Sequence, residues 1–410
     1  MNFKFNFARV SMKFLCILIV LLVGIGCTKE KIEVKPTPAP APTDTNQFIV
    51  NAYKQSLKSD ENLIISPYSI SEAMAMTAVG ASGTTQTQIL ETLETNLLAG
   101  EKWAEKRQSL TQTEGLELQI ANKLWLDAQE KFNPEFLNST QTFFGAKPEK
   151  LDFKTKPEPA RIKINSWVEN ITNKKIKDLL PEGSINPSTT AVLTNAIYMY
   201  AQWDKPFKKH KTSSGKFFTK KDKPQPADFM QQTEHYPHKN FPLTKVLHIP
   251  YRAKGFYFVV ALPQTGVPLV DLEEKLSSEM VKKWTSLVRH ETVALSLPKF
   301  KIESSFELST ALKNMGIKNA FDPSLANFSK MYIEKKGQKK YFHISKVFHK
   351  AFIEIDEVGT EAAAATATVM KMGAGPSTPI KFNVNRPFLY LVYHKPSDTI
   401  LFMGRFTKPT

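Results

Sequence analysis

The spacing of apolar residues changes character along the chain. Over residues 46–59, 70–79 and 84–94 it follows a helical period, and in the second block Ile70, Ala73, Met74, Thr77 and Ala78 share one face. Gly80 and Gly83 separate the last two blocks. A fourth helix is predicted over 161–180, with Trp167, Val168, Ile171 and Ile176 on its apolar side. Strand spacing then takes over. Residues 189–203 are nearly all apolar at first and then alternate, so that Asn195, Ile197, Met199, Ala201 and Trp203 fall on one face. Further strands are predicted over 256–262, 292–297, 346–355, 380–384, 388–393 and 399–406. Helices first and strands later predict an α+β domain with large sheets, not a repeating βαβ unit.

Two stretches before residue 46 fit neither period. Residues 14–25 are an apolar run preceded by Lys4, Arg9 and Lys13 and followed by Gly26 and Cys27, the layout of a secretory leader that is short for a membrane span. A small residue directly before a cysteine resembles the lipobox of bacterial lipoproteins. That resemblance implies a signal peptide over 1–26, a lipidated Cys27 and an exported, membrane-anchored lipoprotein, on the outer membrane and facing the periplasm or the cell surface. Residues 28–45 are charged and then proline-rich, so 27–45 is expected to be an extended tether. Residues 46–410 show no comparable break and no internal repeat, and are taken as one domain.

Composition narrows the chemistry. The formal charge is +16, from 55 basic and 39 acidic residues, but the lysines are spread along the chain. The densest group is Lys208, Lys209, Lys211, Lys216, Lys220, Lys221 and Lys223, interrupted as a solvated loop would be. Nucleic acid is therefore not an expected partner, and polyanion binding is a weak expectation. Both cysteines lie within the first 27 residues, which excludes disulfides and thiol chemistry from the domain. There is no G-x-S-x-G elbow, no H-E-x-x-H, and no metal-ligand spacing among the eight histidines, so neither a hydrolase nor a metal or other cofactor is expected.

One linker is unusual. Between the predicted strands ending at Ile355 and starting at Ile380 lies DEVGTEAAAATATVMKMGAGPSTP, residues 356–379. Loops of that length inside a domain tend to be functional. Read with period two, Thr360, Ala362, Ala364, Thr366, Thr368 and Met370 share one side, and on the other only Glu361 is charged. Such a segment can be slotted as a new strand into a sheet on a packed core. It can also form a short alanine helix, and composition does not separate the two.

The run VFHKAFIEIDEVGTEAAAATA resembles the hinge of inhibitory serpins. NLIISPYSISEAMAMTAVGASGTTQTQI from Asn62, INSWVENITNKKIKDLL from Ile164, LTNAIYMYAQWDKPF from Leu193, LSLPKFKIESSFELSTALKNMGI from Leu295, and the closing FNVNRPFLYLV and LFMGRF resemble the family in the same order. The resemblance implies a serpin fold with an exposed reactive loop over about 357–379. It also implies a suicide inhibitor of serine or cysteine proteases: the loop is cut, inserts into the main sheet and traps the acyl-enzyme. The protein itself would be a monomer and not an enzyme. The alternative within the family is a non-inhibitory binding or chaperone module. Residue by residue, the hinge is Glu357, Gly359, Thr360, Glu361, Ala362, Ala363, Ala364 and Ala365, with Gly359 allowing the backbone to change direction. Ser66, Ser69, Asn195 and His349 match a cluster that controls sheet opening. Trp203, Lys299 and Glu357 match the region where the loop enters, which implies a Lys299–Glu357 contact. Counting fourteen residues onward from Gly359 reaches Gly373, while Lys371 would suit a trypsin-like enzyme and Met370 or Met372 an elastase-, chymotrypsin- or subtilisin-like one.

Overall fold

The computed structural model describes residues 46–95, 100–128, 131–219, 224–333, 342–360 and 378–409. Among these the helices are α1 (Asn46–Gln55), α2 (Pro67–Val79), α3 (Gly83–Thr92), α4 (Gly100–Thr111), α5 (Pro134–Phe144), α6 (Pro157–Ile171), α7 (Leu269–Glu274), α8 (Ser278–Thr285) and α9 (Ser309–Asn314). The strands are β1 (Leu63–Ile65), β2 (Leu116–Asp127), β3 (Glu149–Leu151), β4 (Ala191–Gln202), β5 (Ser213–Phe218), β6 (Pro224–Asn240), β7 (Thr244–Pro250) and β8 (Phe256–Pro263). They continue with β9 (His290–Pro298), β10 (Phe300–Glu307), β11 (Lys346–Ile355), β12 (Gly359–Thr360), β13 (Ile380–Asn383), β14 (Phe388–His394) and β15 (Thr399–Phe406).

The expected helices form, with ends set by local chemistry. α2 starts at Pro67, three residues before its predicted start. Ser66 caps it by accepting the Ser69 N–H, and proline at the first position loses no helical hydrogen bond. α6 stops at Ile171 because Asn173 and Lys174 turn to φ 50° and 62°. Ile176, Leu179 and Leu180 still bury against Ile164 and Val168 from the irregular chain that follows. The predicted helix over 161–180 thus overran the end of the helix, and of its apolar side Val168 and Ile176 are buried and Trp167 partly so, while Ile171 is exposed.

The strands make two sheets. One runs β10-β11-β12-β4-β2-β3, and the other β1-β15-β14-β8-β7-β6-β9-β13 with β5 on β6. β4 is buried on both faces, which accounts for its continuous apolar opening. Ile197, Met199, Ala201 and Trp203 pack against Phe258, Phe300 and Tyr390, while Val192, Ala196 and Tyr198 pack beneath α6. Each such large side chain contributes about 1.5–3 kcal/mol by leaving water. The fold is therefore α+β with segregated helices and mixed sheets.

Candidate functional site

β11 and β4 run parallel and pair directly from Lys346↔Val192 to Ala351↔Ile197. Beyond Ala351 they diverge. The wedge between them holds β12, antiparallel to both, with Ile355↔Thr360 on one side and Gly359↔Gln202 and Thr360↔Ala201 on the other. The chain thus turns back on itself after β11 and starts a new strand inside its own sheet.

Each residue of that turn is held. The Asp356 carboxylate accepts the N–H groups of Val358 (2.8 Å) and Gly359 (3.1 Å), and the Asp356 N–H donates to the Gly359 carbonyl at 3.0 Å. The Trp203 indole N–H donates to the Asp356 carbonyl at 2.8 Å, and its backbone N–H to Val358 at 2.9 Å. Trp203 itself stacks on Tyr251 with centroids 4.7 Å apart. The Tyr251 and Thr360 hydroxyls share a hydrogen bond of 2.6 Å, both buried. Glu357 is buried and pairs with Lys299 at 2.9 Å while accepting the Thr212 hydroxyl at 2.8 Å. Burial pushes this carboxyl up, but the Lys299 and Thr212 hydrogen bonds outweigh it and hold the group below the usual carboxylate range.

Gly359 plays a different part from the expected one. Its φ is not positive, so no change of direction calls for glycine there. A Cβ at 359 would stand 2.1 Å from the Ala201 carbonyl oxygen and 2.7 Å from the Gln202 Cα. Only glycine can lie that close to β4.

Two residues below the point where β11 and β4 close on each other, at His349↔Asn195, lies the polar cluster. The Ser66 N–H donates to His349 Nε2 at 3.1 Å, and the Ser66 hydroxyl donates to the Leu401 carbonyl at 2.6 Å. His349 Nε2 is therefore the unprotonated nitrogen, and Nδ1–H donates across the seam to Asn195 Oδ1. Burial lowers the pKa of this histidine to about 3, so it is neutral at ordinary pH. The Asn195 amide donates to Ser69 Oγ at 2.6 Å and to Asn122 Oδ1. All these side chains are buried.

Ser66 and His349 thus bind α2 to β11, while Ser69 and Asn195 bind it to β4. The His349–Asn195 hydrogen bond links the two strands where they must part if anything is to enter.

Sequence reasoning missed Asn122, which lies opposite Asn195 in the β2–β4 register. Its amide also donates to Glu72 at 2.7 Å, and Glu72 is paired with Arg107 at 2.7 Å and accepts the Tyr68 hydroxyl at 3.0 Å. A polar residue flanked by buried apolar ones in ELQIANKLWLD was the available signal. Thr212 and Tyr251 were also missed, and no local pattern marks either.

Glu361, Ala362, Ala363, Ala364, Ala365, Met370, Lys371, Met372, Gly373 and Cys27 lie outside the described residues. Among the described residues no group of three metal-ligating side chains exists, and no helix is long and apolar enough to cross a membrane.

A family model described as Serpin (serine protease inhibitor) matches residues 43–409. Serpin B4 of Homo sapiens is 39% identical over 391 residues, covering 88% of this chain and 98% of that protein. Human thyroxine-binding globulin, solved with its hormone, is 31% identical with a TM-score of 0.77, covering 89% of this chain and 97% of that one. Serpin48 of the insect Tenebrio molitor, described as highly specific, is 30% identical with a TM-score of 0.79, covering 89% and 97%.

Proposed function

The chain belongs to the serpin family, and from that premise we propose that it is an inhibitor of serine or cysteine endopeptidases that works by inserting its cut loop into its own sheet. Members of the family are mostly protease inhibitors rather than enzymes. The finer reading of loop insertion rests on one observation: β12 is already seated between β11 and β4.

The register of β12 says what an inserted strand would meet. Extended onward, it would set Ala362 opposite Ile353 and Met199, Ala364 opposite Ala351 and Ile197, and Thr366 opposite His349 and Asn195. The inward side chains would then be alanines against the apolar wall and a threonine at the polar cluster. Glu361 would alternate to the outer face beside Glu354 and Tyr200. Residues up to 363 would fill the existing wedge; from Ala364 on, the β11–β4 ladder must open. One parallel ladder would be exchanged for two antiparallel ones, which favours insertion once cleavage frees the strand. The tightness of the uncut hinge opposes it beforehand.

The test is incubation with a panel of trypsin-, chymotrypsin-, elastase- and papain-like enzymes. A 1:1 complex that survives boiling in SDS supports the reading, and clean cleavage without a complex contradicts it. That second outcome favours a binding module, a reading supported by the likeness to a thyroxine-bound globulin. Mass spectrometry of the released C-terminal peptide separates Met370, Lys371, Met372 and Gly373 as the residue before the cut.

The leader and tether belong to the same reading: Cys27 carries lipid and anchors the inhibitor to a bacterial membrane. Support comes from the Gly26–Cys27 pair after the apolar run. Metabolic labelling with a fatty acid, lost on Cys27→Ser, tests it; an unlabelled, freely released wild type refutes it.

A further inference from the structure

The chain from the end of β4 through β5 is bonded to Glu357 in the hinge and to Asn385 beyond β13. At its start the Phe207 N–H donates to the Glu357 carbonyl at 2.8 Å, and the Thr212 hydroxyl reaches the Glu357 carboxylate. Where β5 ends, the Phe218 N–H donates to the Asn385 carbonyl at 2.8 Å, just beyond β13. This stretch therefore flanks the hinge that residues 361–377 follow, whereas the described chain resumes at Thr378 and Ile380 pairs with Val293 of β9, on the far side of β6 from β5. It carries Lys208, Lys209, Lys211 and Lys216, all exposed. None of the four has an acidic partner among the described residues, whereas Lys205 and Lys299 beside them pair with Glu234 and Glu357. No acid lies between 205 and 218. The exposed acids nearby are Asp204, and Asp228, whose neighbour across β5 is Ser214. A 3-10 turn over Lys209–Lys211, closed by Lys211 N–H to Lys208 O at 2.8 Å, holds the first three lysines in fixed order.

We propose that Lys208, Lys209 and Lys211, with Lys216, form a docking surface for the acidic face of a protease, so that the protein selects its target by surface charge as well as by the bond it cuts. The proposal rests on the inhibitory reading. An enzyme gripping the loop stands beside the hinge from which the loop emerges, and Lys208, Lys209 and Lys211 lie between the two contacts, from Phe207 and Thr212, that this stretch makes with Glu357. Exposed lysines are compact, hydrated point charges. They act over distance, raising encounter rates with an oppositely charged partner and slowing those with a like-charged one.

The experiment compares the full chain with the Lys208→Glu, Lys209→Glu, Lys211→Glu triple variant. Two proteases of the same primary specificity but opposite surface charge are used, at about 0.05 to 0.5 M salt, a range over which screening shortens from more than 10 Å to about 4 Å. The rate measured is that of loop cleavage, which is readable whether or not the enzyme is then trapped. Failure of the inhibitory reading is thereby kept apart from failure of this one. Thermal transitions of the two proteins should coincide.

For the acidic protease, the variant should be cut roughly tenfold more slowly at low salt, with the difference vanishing at high salt. For the basic protease it should be cut as fast or faster. Equal rates for wild type and variant with both enzymes would overturn the proposal. So would a sulfated polysaccharide bound by wild type and lost in the variant, with no charge-dependent difference between the proteases.

Discussion

Replacing Thr366 by valine removes one hydroxyl and keeps the shape of the side chain. By the register of β12, an inserted strand brings this residue between His349 and Asn195 on the face that carries the polar cluster. Opening the seam breaks the His349 Nδ1–H to Asn195 Oδ1 bond, and both groups are buried. With threonine present, its hydroxyl can accept from one and donate to the other. With valine, a buried donor and a buried acceptor face methyl groups, which costs about 1–3 kcal/mol for each group left unsatisfied. In the intact protein the bonds that join α2, β2, β4 and β11 at the cluster run among Ser66, Ser69, Asn122, Asn195 and His349. The substitution should therefore leave the intact thermal transition within a degree or so and lower that of the loop-cleaved protein by a few °C, at roughly 1–2 °C per kcal/mol for a domain of this size. Differential scanning calorimetry of four samples, wild type and variant, intact and cleaved, reads this directly. Equal transitions for the two cleaved proteins, or a loss confined to the intact one, would refute the assigned register.

Gly359→Ala should expel β12 from the wedge, because β4 cannot retreat from a Cβ 2.1 Å from its carbonyl; we expect a lower thermal transition and more inhibitor consumed per enzyme trapped, and no change in either would contradict the close approach. Thr360→Arg and Ala362→Arg should each convert trapping into plain cleavage, visible as loss of the SDS-stable band, and an undiminished band would count against insertion of those residues. Glu357→Gln should cost about 1 kcal/mol or a little less by denaturant titration, since Lys299 is 37% exposed and screened; a loss of several kcal/mol would mean that the pair carries more of the hinge than its exposure suggests. Stability should fall as pH drops below about 6.5, where the unfolded chain takes up protons that the neutral buried His349 refuses until about pH 3. The limiting slope is about 1.4 kcal/mol per pH unit from this group, His248 and His394 add in the same direction because burial lowers each to about 4, and a flat profile between pH 6.5 and 4.5 would exclude it.

Strongly periodic elements were readable from the sequence. β4 declared itself through its apolar run, and the face shared by Asn195 and Trp203 is the face that holds the cluster at one end and the hinge at the other. β6 was not readable. Its three prolines and many polar residues show no strand period, and no element was predicted there, yet β9, β5 and β7 pair with it. Tertiary pairing there overrides local preference. The hinge was marked by its small residues, but the reason for Gly359 was legible only once β4 lay beside it. Asn122, Tyr251 and Thr212 come from strands and turns distant in sequence. Their roles follow from which hydroxyl or amide meets which partner, and no spacing rule encodes that.

The central claim is that the intact chain is held short of a more stable arrangement that its own loop completes. The direct measurement is the thermal transition of the purified protein before and after a single cut within residues 361–377, with the fragments kept together. A clear upward shift on nicking, with the C-terminal peptide still bound, is predicted. A transition that stays put or falls would contradict the account.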